Sequence, residues 1–146
     1  MGLKIAVITP YYKESLDQLL ECHQSVIGQD VSAEVAHFLV ADGFPMSDID
    51  SWNCSHVKLP CSNNDVGNTP RGIGGLLADS LGFDFVAYLD ADNWYKPGHL
   101  SSLLELYSKT KCSILTSLRT YHSEDGVEMQ VRDSDEESFM HVDTSC

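Results

Sequence analysis

Basic residues are scarce in this chain: nine Lys plus Arg stand against 22 Asp plus Glu in 146 residues, a formal charge of -13. A protein that grips a phosphate backbone needs a basic stripe, so nucleic-acid binding is excluded as a function class. A small anionic ligand remains compatible, provided a metal or a local cation receives it. Long apolar runs are absent too, and none approaches the roughly 20 residues of a membrane span. Cysteine is unpatterned. The five cysteines (Cys22, Cys54, Cys61, Cys112, Cys146) form an odd count with no C-x-x-C pair. That argues against a disulfide framework and for a reducing, cytoplasmic setting. Cys54, His56 and Cys61 lie close together but lack the second ligand pair of a structural zinc site. Met1-Gly2-Leu3-Lys4 runs straight into a strand pattern, so no signal peptide is expected. Ala6 stands where myristoylation requires Ser or Thr.

What is present reads as one globular α/β domain over residues 1–146. Hydrophobic residues at 42% and charged residues at 21% exclude whole-chain disorder. Leu3 to Thr9 is a nearly continuous apolar run of the kind expected for a strand buried on both faces. Leu16, Leu19, Leu20, His23, Val26 and Ile27 then follow helical spacing until Gly28. Further strands are predicted at about Glu34 to Val40, His56 to Leu59, Asp84 to Leu89 and Ser113 to Ser117. A second helix is predicted with Thr69 as N-cap and Pro70 at its first position, running to about Ser80. Pro97 opens a third, with Leu100, Leu103, Leu104 and Tyr107 on one face. Tyr121 to Val131, with Asp125-Gly126 inside, suggests a hairpin. Alternation of strands and helices implies a mainly parallel sheet. Residues 124–146 hold eight acids and one Arg and read as a solvated flank.

In such a sheet, ligands bind beyond the carboxyl ends of the strands. Three ends carry polar groups here: Thr9-Pro10-Tyr11-Tyr12, Asp42-Gly43, and Asp90-Ala91-Asp92. The first lacks G-x-G-x-x-G, so a dinucleotide site is a poor fit. Gly72, Gly74 and Gly75 fall inside a helix entry, where glycine either serves a ligand or permits close packing. Asp90 and Asp92 point the same way if strand geometry continues. Paired hard oxygen ligands suit Mg²⁺ or Mn²⁺ bound together with ligand phosphates, although two acids in a solvated loop would look the same. Arg71, near the positive end of a helix, is the natural cation for a diphosphate, with Lys13 and Lys96 as weaker candidates. A solvated helix-terminal Arg is the bland alternative.

Taken in order, KIAVITPYYKE, ADG, TPRGIGG and YLDADNWYKPGHL resemble the family 2 glycosyltransferases over about residues 3–110. The resemblance implies a GT-A-like nucleotide-binding domain and inverting transfer from a nucleotide-sugar, usually a UDP-sugar, assisted by Mn²⁺ or Mg²⁺. It implies that Thr9, Pro10 and Tyr12 lie along the nucleotide and that Asp42 contacts the base. By the same resemblance Arg71 sits near base and phosphates, Asp90 near the ribose, and Asp92 on the metal. The acceptor, whether sugar, lipid or protein, is not specified, and the acceptor part after about residue 110 is short or incomplete.

The chain departs from the family pattern at several points. Ala41-Asp42-Gly43-Phe44 replaces the common Asp-Asp-Gly-Ser, and the family's later acidic and aromatic-basic motifs have no clear match. Asp143 is the remaining candidate for the catalytic base, at the end of a strand pattern. His141 is a candidate third metal ligand or a plain strand histidine. The chain is expected to be a compact member or a fragment of a longer product. The rival function is nucleotide-sugar binding without transfer.

Overall fold

The computed structural model describes residues 2–123 and 125–131. Strand β1 (Lys4–Tyr11) is buried at seven of its eight positions, because strands flank it on both sides and helices cover both faces. Strands β2 (Glu34–Ala41), β3 (Ser55–Lys58) and β4 (Phe85–Tyr88) complete a parallel sheet of order β3-β2-β1-β4. Ile5 and Val7 pack on one face with Cys22, Val26, Leu89 and Leu100. Ala6 and Ile8 pack on the other with Phe38, Val40 and Ala78. The strand order reverses direction between β1 and β4, which opens a crevice at their carboxyl ends. The expected α/β architecture with a mainly parallel sheet is therefore present.

Helix α1 (Leu16–Ile27) begins with a full capping box between Ser15 and Gln18. Its buried face is Leu19, Cys22, His23 and Val26, whereas Leu20 and Ile27 face solvent. A short 3-10 helix (Ser47–Ser51), not anticipated from the sequence, follows β2 and buries Ile49. Helix α2 (Asn68–Ser80) starts two residues earlier than expected, with Gly67 rather than Thr69 at the N-cap. The reason is Asp65, whose carboxylate accepts from the Thr69 backbone N–H at 2.8 Å and from its hydroxyl at 2.6 Å. A carboxylate is the stronger acceptor, and Pro70 still falls where a missing N–H costs nothing. The face turned to the sheet is Pro70, Gly74 and Ala78. A Cβ on Gly74 would stand 2.5 Å from Ile8 Cγ2, so this glycine serves close helix–sheet packing.

Helix α3 (His99–Thr110) follows Gly98. The strand expected at Ser113–Ser117 does not form. Ile114 is 79% exposed, and among the described residues β4 pairs only with β1. The segment leaves Ser113, Ile114 and Thr116 exposed, so it buries too little to add a strand to the open edge of β4. The expected hairpin is present as β5 (Tyr121–His122) and β6 (Glu128–Met129), antiparallel. Among the described residues no helix is long and apolar enough to cross a membrane.

Candidate functional site

The crevice at the switch in strand order is a cleft of about 480 Å³, lined from all three polar strand ends. From the end of β1 it takes Pro10, Tyr11 and Tyr12, beyond β2 Asp42, and beyond β4 Asp90, Ala91 and Asp92. The α2 entry contributes Gly67 and Arg71.

Arg71 is held firmly. Its Nη2 donates to Asp90 Oδ1 and its Nη1 donates to the Val66 carbonyl at 2.9 Å. The Arg71 side chain is only 14% exposed and that of Asp90 27%, so the pair forms a wall of the cleft rather than a solvated surface contact. Among the described residues the buried Nε atom of Arg71 has no hydrogen-bond partner. A Cβ on Gly67, at φ 82°, would stand 3.0 Å from Arg71 Nη1 and 3.2 Å from the Pro10 ring. Glycine there lets the guanidinium lie against the end of β1.

Asp92 differs from Asp90. The chain leaves strand geometry after Tyr88 and turns, with Asn93 N–H donating to the Asp90 carbonyl at 3.0 Å. The two carboxylates therefore do not alternate along a strand, as the sequence reading supposed, yet both line the cleft. Among the described residues Asp92 is exposed and has no hydrogen-bond or ion-pair partner.

Asp42 is 5% exposed and already engaged. It accepts from the Asn63 backbone N–H at 3.0 Å, Asn63 Nδ2 at 2.7 Å and Ser62 Oγ at 3.2 Å. Gly43, at φ 84°, allows this loop to pack directly on the end of β2, since a Cβ would meet Ser62 N at 2.4 Å. Asp42 thus anchors one cleft wall while facing the cleft. Tyr12 and Pro10 line it, but the Thr9 side chain does not. Thr9 lies under the floor, its hydroxyl 2.8 Å from His37 Nε2 and 3.8 Å from Cys22 Sγ. Lys13 sits outside, over the Tyr12 and Phe44 rings, and Lys96 pairs with Glu128 at 2.7 Å. Asp143 and His141 lie outside the described residues.

Several cleft residues were not identified from the sequence. Glu14 lines it and accepts from the Tyr12 N–H at 2.6 Å. Asn64 and Val66 line it as well, both with positive φ. The only signal was that Cys61 to Thr69 is a polar loop. Beneath the site runs a buried polar chain. His23 and His37 stack with Nδ1 atoms 2.9 Å apart, and His37 continues to Thr9. Burial pushes the His37 pKa down to about 3 and that of His23 below its usual value, while the Cys22 thiol is pushed up to about 12. None of these groups is charged at neutral pH. To one side, Tyr11 donates to His56 at 2.7 Å, His56 donates to Asp50 at 2.7 Å, and Tyr11 accepts from the Met46 N–H at 3.1 Å. This fixes the segment after β2.

Electrostatically the cleft is acidic, with Glu14, Asp42, Asp90 and Asp92 facing a single guanidinium. A diphosphate would meet net repulsion there unless a cation accompanied it. Among the described residues no cluster of three acidic, His or Cys side chains could cage a metal by itself. One free carboxylate beside open space nonetheless fits Mg²⁺ or Mn²⁺, which keep waters and take most ligands from phosphates.

No family model matches the chain, and no curated protein matches it. Solved structures do. A structure of Staphylococcus aureus TarS 1-349 superposes with a TM-score of 0.61 at 19% identity, covering 75% of this chain and 33% of that one. TarS 1-349 in complex with UDP gives 0.59 at 18% identity, covering 81% of this chain and 40% of that one. The complex with UDP-GlcNAc gives 0.59 at 18% identity, with 81% and 39% covered. The chain thus spans about a third of TarS 1-349. With the parallel sheet, its flanking helices and the separate hairpin, the likeness identifies the architecture as a GT-A-like α/β fold.

Proposed function

We propose that this chain is the donor-binding part of an inverting family 2 glycosyltransferase that uses a UDP-sugar and Mn²⁺ or Mg²⁺. The carrying observation is the cleft at the switch point, which is lined by a clamped Arg71 and by Asp92, unpaired among the described residues. The UDP and UDP-GlcNAc complexes of TarS, a protein of like fold, support the choice of donor.

In this reading Asp92 holds the metal and Asp90 orients Arg71 toward the phosphates. Asp42 and the Ser62-Asn63 loop frame the base, while Pro10 and Tyr12 lie along the nucleotide. When bound, the metal would neutralise charge developing on the departing diphosphate. The chain's own contribution is a rigid cradle, since Asp90 spends its charge on orienting the guanidinium before any ligand arrives. Asp143 is the proposed base that takes the acceptor hydroxyl's proton.

Calorimetry with UDP tests the core of the proposal. Binding should strengthen when EDTA is replaced by Mn²⁺, and Asp92→Ala should remove the metal-dependent part. Equal affinity in EDTA and in Mn²⁺ would refute metal assistance.

A further inference from the structure

A small cluster of two aromatic rings and one cation sits beside the cleft. Tyr12 follows β1 directly, and Phe44 stands three residues beyond β2, whose last residue Ala41 is in register with Tyr11. The Tyr12 and Phe44 rings meet edge to face, with centroids 4.8 Å apart and planes at 83°. Lys13 Nζ lies 4.8 Å from the Tyr12 ring centroid and 4.7 Å from that of Phe44, within cation–π range of both. Among the described residues Lys13 has no ion-pair partner, so the rings are what its charge meets. Tyr12 lines the cleft, whereas Phe44 and Lys13 do not. Both aromatic residues stay part-exposed, Tyr12 at 40% and Phe44 at 45%.

The cluster is tied down from both strand ends. On the β1 side, the Tyr12 N–H donates to the Glu14 carboxylate at 2.6 Å. On the β2 side, Gly43 lies so close to the next loop that a Cβ would stand 2.4 Å from Ser62 N. Two residues after Phe44, the Met46 N–H donates to the Tyr11 hydroxyl at 3.1 Å, and Tyr11 is itself fixed by His56 at 2.7 Å. Phe44 is thus held between two anchored residues, and its ring bridges the end of β2 to the end of β1. A serine, common at this position in the family the chain resembles, has no ring with which to make that bridge. Edge-to-face pairing and a cation over both rings favour one arrangement of the three side chains.

We infer that Phe44 and Lys13 are positioning residues that hold the Tyr12 ring in one orientation at the cleft, and that this fixed ring selects a single-ring base over a double-ring one. That the ligand is a nucleotide rests on the donor assignment above; the selectivity is assigned to two residues outside the cleft lining. A planar base gains most from an aromatic neighbour that is already oriented, because no ring rotation has to be frozen on binding. Stacking alone is tolerant, since every base has a π-face. A ring free to turn therefore takes a purine as readily as a pyrimidine, and discrimination comes from fixing the ring so that the larger base meets it badly.

The test measures UDP and GDP affinities of the full chain by calorimetry in Mn²⁺, together with NMR of ring-labelled tyrosine in the free protein, the Tyr12 signals being assigned through Tyr12→Phe. The native chain should bind UDP more tightly than GDP. Phe44→Ser should weaken UDP binding by about three- to tenfold and GDP binding by less, so that the preference shrinks at least about threefold. Phe44→Tyr should restore both affinities, because the ring returns. Lys13→Met should weaken UDP binding by about two- to fivefold and Lys13→Arg should not, since a guanidinium also stacks on aromatic faces. In the free protein, Phe44→Ser should shift the Tyr12 ring resonances and leave the melting temperature within about 3 °C, as expected for a part-exposed side chain. Tyr12 resonances that do not move, or a UDP preference unchanged in Phe44→Ser, would overturn the inference. So would equal UDP and GDP affinities in the native chain, or a loss of UDP affinity that Phe44→Tyr does not restore. Absence of all nucleotide binding by the native chain would instead refute the donor reading and the selectivity together.

Discussion

Removing the Arg71 guanidinium should affect both the free protein and its ligand affinity, and the two effects can be measured separately. Arg71→Ala deletes the ion pair with Asp90 and the hydrogen bond to the Val66 carbonyl. Breaking a fully buried pair costs about 3–5 kcal/mol, whereas an exposed pair contributes about 0–1 kcal/mol. With Arg71 14% and Asp90 27% exposed, water can partly re-solvate the stranded carboxylate. The expected loss is therefore about 1–2 kcal/mol, between those limits. A domain of this size would melt roughly 3–8 °C lower. Urea unfolding should show a lower midpoint with an unchanged slope. Asp90→Asn should cost a similar amount, and the double variant should cost less than the sum, because the residues share one interaction. UDP affinity of Arg71→Ala in Mn²⁺ should fall by about ten- to a hundredfold, the loss of charge-assisted hydrogen bonds of about 1.5–3 kcal/mol. An unchanged urea midpoint would show that the pair contributes nothing to the fold. Unchanged UDP affinity in a less stable protein would make Arg71 structural only.

Three further outcomes are expected. His37 is buried and neutral with a pKa near 3, so the unfolded chain takes up its proton first as pH falls. Stability should be fully present above about pH 6.5 and decline toward pH 3 with a slope approaching about 1.4 kcal/mol per unit, with His23 adding in the same direction. His37→Gln should flatten that decline in urea titrations, and an identical slope in both proteins would assign it elsewhere. Gly74→Ala should destabilise by about 1–3 kcal/mol through overpacking on Ile8, whereas Gly72→Ala, with nothing within 4 Å, should stabilise by up to about 1 kcal/mol. Equal shifts in chemical denaturation would disprove the packing role of Gly74. Asp143→Asn should abolish any donor turnover while leaving UDP affinity within about twofold, as loss of a transition-state-only interaction requires. Turnover that survives would place the base at another residue.

What could be read from the sequence follows from how local each cause is. Leu3 to Thr9 reads as a central strand because burial on both faces demands an unbroken apolar run, and β1 is that strand. Ser113 to Ser117 also carries branched side chains, but among the described residues it forms no strand and Ile114 stays exposed, an outcome set by tertiary structure rather than by the segment. On α1 the pattern holds at Leu19, His23 and Val26, but Leu20 and Ile27 are apolar yet exposed, and Cys22, outside that pattern, completes the buried stripe. At the site, Arg71, Asp90 and Asp92 stood out as charges at element ends, and they do converge. That Asp42 is locked by Asn63, some twenty residues on, depends on the Gly43 turn and could not be seen from spacing.

The least legible part of the site also explains why it acts as a unit. Asn64, Val66 and Gly67 all adopt positive φ, at 53°, 59° and 82°. For β-branched Val66 that conformation costs about 1–2 kcal/mol, and its side chain recovers little because it is 92% exposed. Such a turn persists only if its surroundings over-determine it. They do: the Val66 carbonyl is held by Arg71, Asp65 caps the first turn of α2, and Gly67 rests against Pro10. The guanidinium that faces the cleft therefore also holds the strained loop, and Asp90 holds the guanidinium. A ligand that draws Arg71 away from either partner must compensate for both the unpaired carboxylate and the released turn. One that approaches from the open side of the cleft leaves both contacts intact, and the loop, the helix cap and the Asp90 turn stay tied together.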